Sequence, residues 1–80
     1  MPYYKIYIKG VLASGPKTGE QGIVRAATKA DTIPELNSLI LQGEQEMHLS
    51  EVFEPGYVTE HTECTREELL EEFPEMIDNI

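Results

Sequence analysis

An α+β fold is what the sequence predicts: a small antiparallel sheet with two helices, in the order β-β-α-β-β-α. Three observations carry it. Residues 3–13 open with alternating apolar and polar side chains, the period of a strand. Thr32 and Thr65 are each followed three residues later by Glu, which spells a helix start. Between the periodic stretches lie Gly and Pro clusters of the kind turns need.

In the first strand Tyr4, Ile6 and Ile8 share one face, while Tyr3, Lys5, Tyr7 and Lys9 share the other. Residues 14–22 hold Gly15, Pro16, Gly19 and Gly22 and read as a loop. Residues 23–29, IVRAATK, form a second strand, antiparallel to the first across that loop. Thr32-Ile33-Pro34-Glu35 then starts a helix over 33–42. Thr32 caps it, Pro34 fits its first turn, and Glu35 completes a capping box. Ile33, Leu36, Leu39 and Ile40 follow helical spacing, and Gly43 is the stop signal.

Residues 46–53 and 57–63 predict a hairpin across Glu54-Pro55-Gly56. Met47, Leu49 and Phe53 would point inward, with Glu51 out of pattern. Thr65-Arg66-Glu67-Glu68 opens a final helix from residue 66. Its apolar positions, Leu69, Leu70, Phe73, Met76, Ile77 and Ile80, continue past Pro74, so a kinked helix is expected over a chain break.

The first four elements also match the order of a β-grasp fold. The stretch GIVRAATKADTIPELNSLILQG resembles the second strand and helix of ubiquitin-like domains, over the first half of the chain. The chain ends Asp78-Asn79-Ile80 and lacks the Gly-Gly tail such modifiers use, so conjugation chemistry is not implied. A plain antiparallel sheet with two helices on one face satisfies the same pattern.

Eighty residues suit one domain, 1–80, with one core and little material for a deep cleft. At 40% hydrophobic and 26% charged the composition is that of a folded chain. No apolar run approaches the roughly 20 residues that span a bilayer. The single cysteine, Cys64, forms no internal disulfide, and a reducing cytoplasmic setting is the expectation.

The charge is uneven. Residues 1–42 carry five cations against three acids, a net of +2, and residues 43–80 carry twelve acids against Arg66 alone, a net of −11. Such asymmetry speaks of partners. It opposes direct contact of the second half with nucleic acid or an anionic membrane and suits a basic partner surface.

Advancing about 100° per residue from Glu67, Glu71 falls near 40°, Glu75 near 80°, Asp78 near 20°, Glu68 near 100° and Glu72 near 140°. The apolar residues occupy about 180–300°. No lysine interleaves the acids, and like-charged pairs four residues apart cost about 0.2–0.5 kcal/mol each. A continuous helix over 66–79 would space its six acids about 3.5 Å apart along the axis, close to the roughly 3.4 Å per charge of one DNA strand. Small single-domain acidic chains of this kind resemble phage-encoded inhibitors of the anti-CRISPR and DNA-mimic type, which implies a role in counter-defence. The resemblance is one of length, charge and clustering, and it transfers no residue roles.

Other constellations carry less. Tyr3-Tyr4-Lys5-Ile6-Tyr7-Ile8-Lys9 interleaves aromatics and cations, as stacking platforms for single strands do, and as half-exposed strands do. Residues 10–18 miss the phosphate-binding pattern because Pro16 removes a backbone donor before Lys17. His61 and Cys64 have ligand-pair spacing that suits zinc, and His48 or a carboxylate would have to complete a four-ligand site; a Cys64–His61 nucleophile pair would also need an oxyanion site, which nothing else in the sequence supplies.

The expectation is therefore a non-enzymatic acidic module or inhibitor, without metal or cofactor, that docks on the basic surface of a nucleic-acid-binding protein. Its contact residues would be Glu44, Glu46, Glu51, Glu54, Glu67, Glu68, Glu71, Glu72, Glu75 and Asp78. A thiol or metal enzyme using His48, His61 and Cys64 is the alternative from another class. A structural, self-associating domain that forms a homodimer is a third.

Overall fold

The computed structural model describes residues 2–79. Strand β1 (Tyr3–Val11) is the centre of a three-stranded antiparallel sheet, with β2 (Gln21–Lys29) on one side and β3 (Val58–Cys64) on the other. Helix α1 (Ile33–Glu46), the short α2 (Leu49–Val52), α3 (Arg66–Glu72) and a 3-10 helix (Pro74–Asp78) complete the chain. The α+β class and the antiparallel sheet are those the sequence predicts, with three strands in place of four.

The alternation of β1 decides the layering. Tyr4, Ile6 and Ile8 are buried with Ala30, Leu36, Leu49 and Phe53, so the core lies between the sheet and α1 and α2. Lys5 and Tyr7 point the other way, and both reach Glu72 of α3. Helix α3 therefore covers the opposite face from α1, and the two main helices do not share one side of the sheet.

At the end of β1 the chain makes tight packing contacts. Gly10 and Gly22 are cross-strand partners on the core face. A Cβ at Gly10 would come within 2.7 Å of the Tyr57 Cβ and 3.0 Å of the Phe53 ring, so the missing side chain makes room for that pair of aromatics. The Phe53 and Tyr57 rings lie 5.8 Å apart.

Two sequence expectations are corrected. Residues 46–53 are not a strand: α1 runs through Gly43 to Glu46, and Leu49–Val52 forms one helical turn. Leu49 and Phe53 sit four residues apart and are both buried, which one turn of helix achieves as well as alternation does. The expected hairpin at Glu54-Pro55-Gly56 is thus a helix-to-strand connection, and Phe53 makes only an isolated bridge to Leu12. The final helix is not a kinked continuous one either. It ends at Glu72, and Phe73 adopts φ −125° and ψ 66° before Pro74, as a residue preceding proline must leave the helical region. Of the apolar stripe, Leu69 and Phe73 are buried, Leu70 and Met76 half-buried, and Ile77 is 57% exposed. Ile80, the last member of the stripe, lies outside the described residues.

Candidate functional site

Helix α3 is placed by its two ends. The Thr65 hydroxyl accepts from the Glu68 N–H at 3.1 Å, and the Glu68 carboxylate accepts from the Thr65 N–H at 2.9 Å. This is the reciprocal capping box the sequence announced. The backbone donation from Thr65 holds the Glu68 carboxyl below its ordinary range. At the other end Leu69 is fully buried and Phe73 nearly so, anchoring the helix to the sheet.

Glu72 reaches back over the outer face of the sheet to β1. The Tyr7 hydroxyl lies 2.7 and 2.9 Å from its two oxygens, and the Lys5 ammonium lies 3.3 Å from one of them. The Tyr7 hydrogen bond, supported by Lys5, lowers the Glu72 carboxyl below its ordinary value. The same bond raises Tyr7. Burial pulls Lys5 down, but the hydrogen bond to Glu72 and its charge outweigh that, so Lys5 is raised. Glu68 and Glu72 thus serve the fold, and neither is an idle surface charge.

The remaining acids of this segment differ. Glu67, Glu71, Glu75 and Asp78 are exposed and belong to neither the Lys5–Glu72 nor the Lys9–Glu60 ion pair. Because the helix stops at Glu72, the even phosphate-like spacing expected for a continuous helix over 66–79 does not arise. What remains is a short acidic ridge, with Glu67 and Glu71 roughly 6 Å apart along the axis of α3.

The acids of the middle segment lie on other elements. On α1, Glu44 accepts from the Thr59 hydroxyl of β3 at 2.7 Å, and Glu46 accepts from Gln42 at 3.0 Å. Glu51 and Glu54, at the α2 end, are exposed. Helix α1 and helix α3 cover opposite faces of the sheet, so the ten acids do not form one flat surface. Edge strand β3 links them. It brings in Glu60 and Glu63, which the sequence reading left out: by register with Tyr7 and Tyr4, Glu60 faces the α3 side and Glu63 the α1 side. The signal for them was present, since YVTEHTE places acids on both faces of a strand. Lys9 holds Glu60 at 3.2 Å, and the Tyr4 hydroxyl approaches Glu63 at 3.5 Å. The result is an acidic rim running from Glu44 over β3 to Glu67 and Glu71.

The metal and thiol constellation does not converge. His61 pairs with Ile6 on the α1 side and meets the Tyr4 ring edge-on at 6.1 Å. Cys64 pairs with Tyr3 on the α3 side, and burial raises its thiol, which disfavours the thiolate. Three residues apart on a strand, the two side chains point to opposite faces. His48 is exposed in the turn after α1. Among the described residues no three His, Cys, Asp or Glu side chains gather in a metal-holding group, and no helix is long and apolar enough to cross a membrane.

No protein-family model matches the chain, no curated protein matches it in sequence, and no solved structure matches it in fold.

Proposed function

We propose that the chain is an acidic binding module that docks on a basic surface of a partner, one built to hold nucleic acid, and blocks it. The observation that carries this reading is the set of exposed carboxylates at Glu67, Glu71, Glu75 and Asp78, held on a capped and anchored helix and the turn after it, outside the Lys5–Glu72 and Lys9–Glu60 ion pairs. Clustered like charges cost stability, and a solvated face selected for stability alone would intersperse lysines. Glu44, Glu60 and Glu63 extend the same sign of charge around the β3 edge. Recognition would then rest on the density of negative charge, not on the helical pitch of a duplex. Counter-defence against a nucleic-acid-guided complex is one setting for such a module.

The experiment is a competition. A partner recovered by affinity capture and identified by mass spectrometry is purified, and its nucleic acid is titrated off with this chain. Wild type should displace the nucleic acid, more weakly as salt shortens the Debye length from about 10 Å at 0.1 M to about 3 Å at 1 M. The variant Glu67→Lys/Glu71→Lys/Asp78→Lys should lose this, chiefly through slower association. Equal displacement by the triple variant at low salt overturns the reading.

A further inference from the structure

Strand β2 is an edge of the sheet, and among the described residues no strand pairs with its outer side. The bonds that close the two ends of the β1–β2 ladder show which of its amides are spent. Ala30 N–H donates to the Pro2 carbonyl at 3.2 Å, and Leu12 N–H to the Glu20 carbonyl at 2.9 Å. Alternating inward along the register, Gly22, Val24, Ala26 and Thr28 bond to β1, while Ile23, Arg25, Ala27 and Lys29 aim their N–H and C=O groups at the open edge. Sheet edges are commonly guarded by charge, and β3 is, with Glu60 and Glu63. Strand β2 carries no acid, and Arg25 is the only charge in its interior.

Beside this edge runs an open groove of about 270 Å³ between the sheet and α1. Ala26 and Thr28 line it from the strand, Leu39 and Ile40 from α1, and Met47 from the cap that follows it. Leu39 and Met47 are 36% and 39% exposed, so α1 does not seal the core on this side.

We infer that the β2 edge docks a second copy of this chain, the two β2 strands pairing antiparallel about a twofold axis at Ala26. In that register Ile23 stands opposite Lys29 of the other copy and Arg25 opposite its Ala27. All four outward-facing residues are then used, and no like charges oppose each other. Centring the axis on Arg25 sets Arg25 against itself, and centring it on Ala27 sets Arg25 against Lys29, both repulsive. The twofold also turns the two apolar grooves toward each other, so that Leu39 and Met47 of each copy meet. The acidic β3 strands end at the far edges of the joined sheet, where the repulsion between two chains of net charge −9 is least.

Sedimentation equilibrium from micromolar to millimolar protein tests this with three variants. Wild type should sediment as a dimer. Ile23→Lys and Ile23→Glu lose the same apolar side chain but set opposite charges against Lys29 of the other copy. The Lys variant should dissociate at least about tenfold more readily than the Glu variant, although Glu adds to an already negative chain. Ala27→Pro removes an outward N–H that the hairpin does not use, and should give a monomer with a near-normal melt. A wild-type monomer throughout the range overturns the inference and leaves the edge to a strand from another protein. Species that grow past the dimer overturn it in favour of open-ended pairing of β2 with β3. Equal dimerisation of the two Ile23 variants overturns it even if Ala27→Pro fails to fold.

Discussion

Tyr7 and Glu72, sixty-five positions apart in sequence, meet on the outer face of the sheet, the hydroxyl 2.7 and 2.9 Å from the two carboxylate oxygens. The contact joins the central strand to the last helix, and its strength should depend on pH. Glu72 is lowered, so its contribution is present above the ordinary carboxyl value of 4.5 and is lost as pH falls through the lowered one. Tyr7 is raised, so its contribution is complete below 10.0 and is lost as pH rises through the raised value. Glu72→Gln should therefore lower the urea midpoint at neutral pH, and the gap to wild type should close in acid. A gap that persists unchanged well below pH 4.5 would show the carboxylate charge to be irrelevant.

The burial of α3 gives a second prediction. Leu69 is fully buried, and truncation to Ala should cost roughly 2–5 kcal/mol. That is a large share of the roughly 4–12 kcal/mol expected for a chain this size. Leu41 on α1 is 57% exposed, and Leu41→Ala should stay within about 0.5 kcal/mol. Equal effects in chemical denaturation would refute the placement of α3 on the sheet.

His48 gives a third. It holds φ 53° and ψ 49°, the left-handed region, between α1 and α2, and its side chain makes no cap bond. The turn is held instead by backbone bonds, Met47 N–H to Gly43 O at 3.0 Å and His48 N–H to Gln45 O at 3.2 Å. Glycine accepts this conformation without strain, so His48→Gly should be neutral or stabilising by up to about 1 kcal/mol. His48→Val should destabilise, because a β-branched side chain is poorly tolerated there. A thermal melt separates the two. A marked loss of stability in His48→Gly would instead assign the imidazole a structural contact.

Local chemistry explains what could be read from the residues. The Thr65–Glu68 box and the Tyr4/Ile6/Ile8 alternation need only near neighbours in sequence, and both are realised as read. At Thr32 the cap accepts from Glu35 N–H, yet the Glu35 carboxylate turns to the Asp31 N–H, a detail that depends on how the chain enters α1. Residues 46–53 misled because Met47, Leu49 and Phe53 fit a period of two, while Leu49 and Phe53 equally fit a helical turn. Gly43 was overruled as a stop, since a glycine inside a helix costs only about 1 kcal/mol and the turn at His48 ends α1 instead. Glu72 shares the sign of the acidic face, but at about 140° it is the acid nearest the apolar arc. Its partners lie on β1, and no local pattern names them.

The neighbours Glu71 and Glu72 should respond oppositely to charge reversal. Glu71 is exposed in the last turn of α3, four residues after Glu67, with no basic residue in that turn. Glu71→Lys removes a like-charge pair, creates a Glu67–Lys attraction, and sets a cation near the helix C-terminus. Together these should stabilise the protein by on the order of 0.5 kcal/mol at low ionic strength, and less at 1 M salt. Glu72→Lys sets a second ammonium beside Lys5 and deprives the Tyr7 hydroxyl of its acceptor, so it should destabilise at every salt concentration. Denaturant midpoints at two salt concentrations check both signs. The Glu71 result also bears on function. If Glu71→Lys is more stable than wild type and binds its partner less well, the glutamate is kept at a cost to the fold for the sake of the interface. If it is more stable and binds as tightly, the ridge at Glu67 and Glu71 is only a solvated face, and docking must be sought along the β3 edge at Glu60 and Glu63.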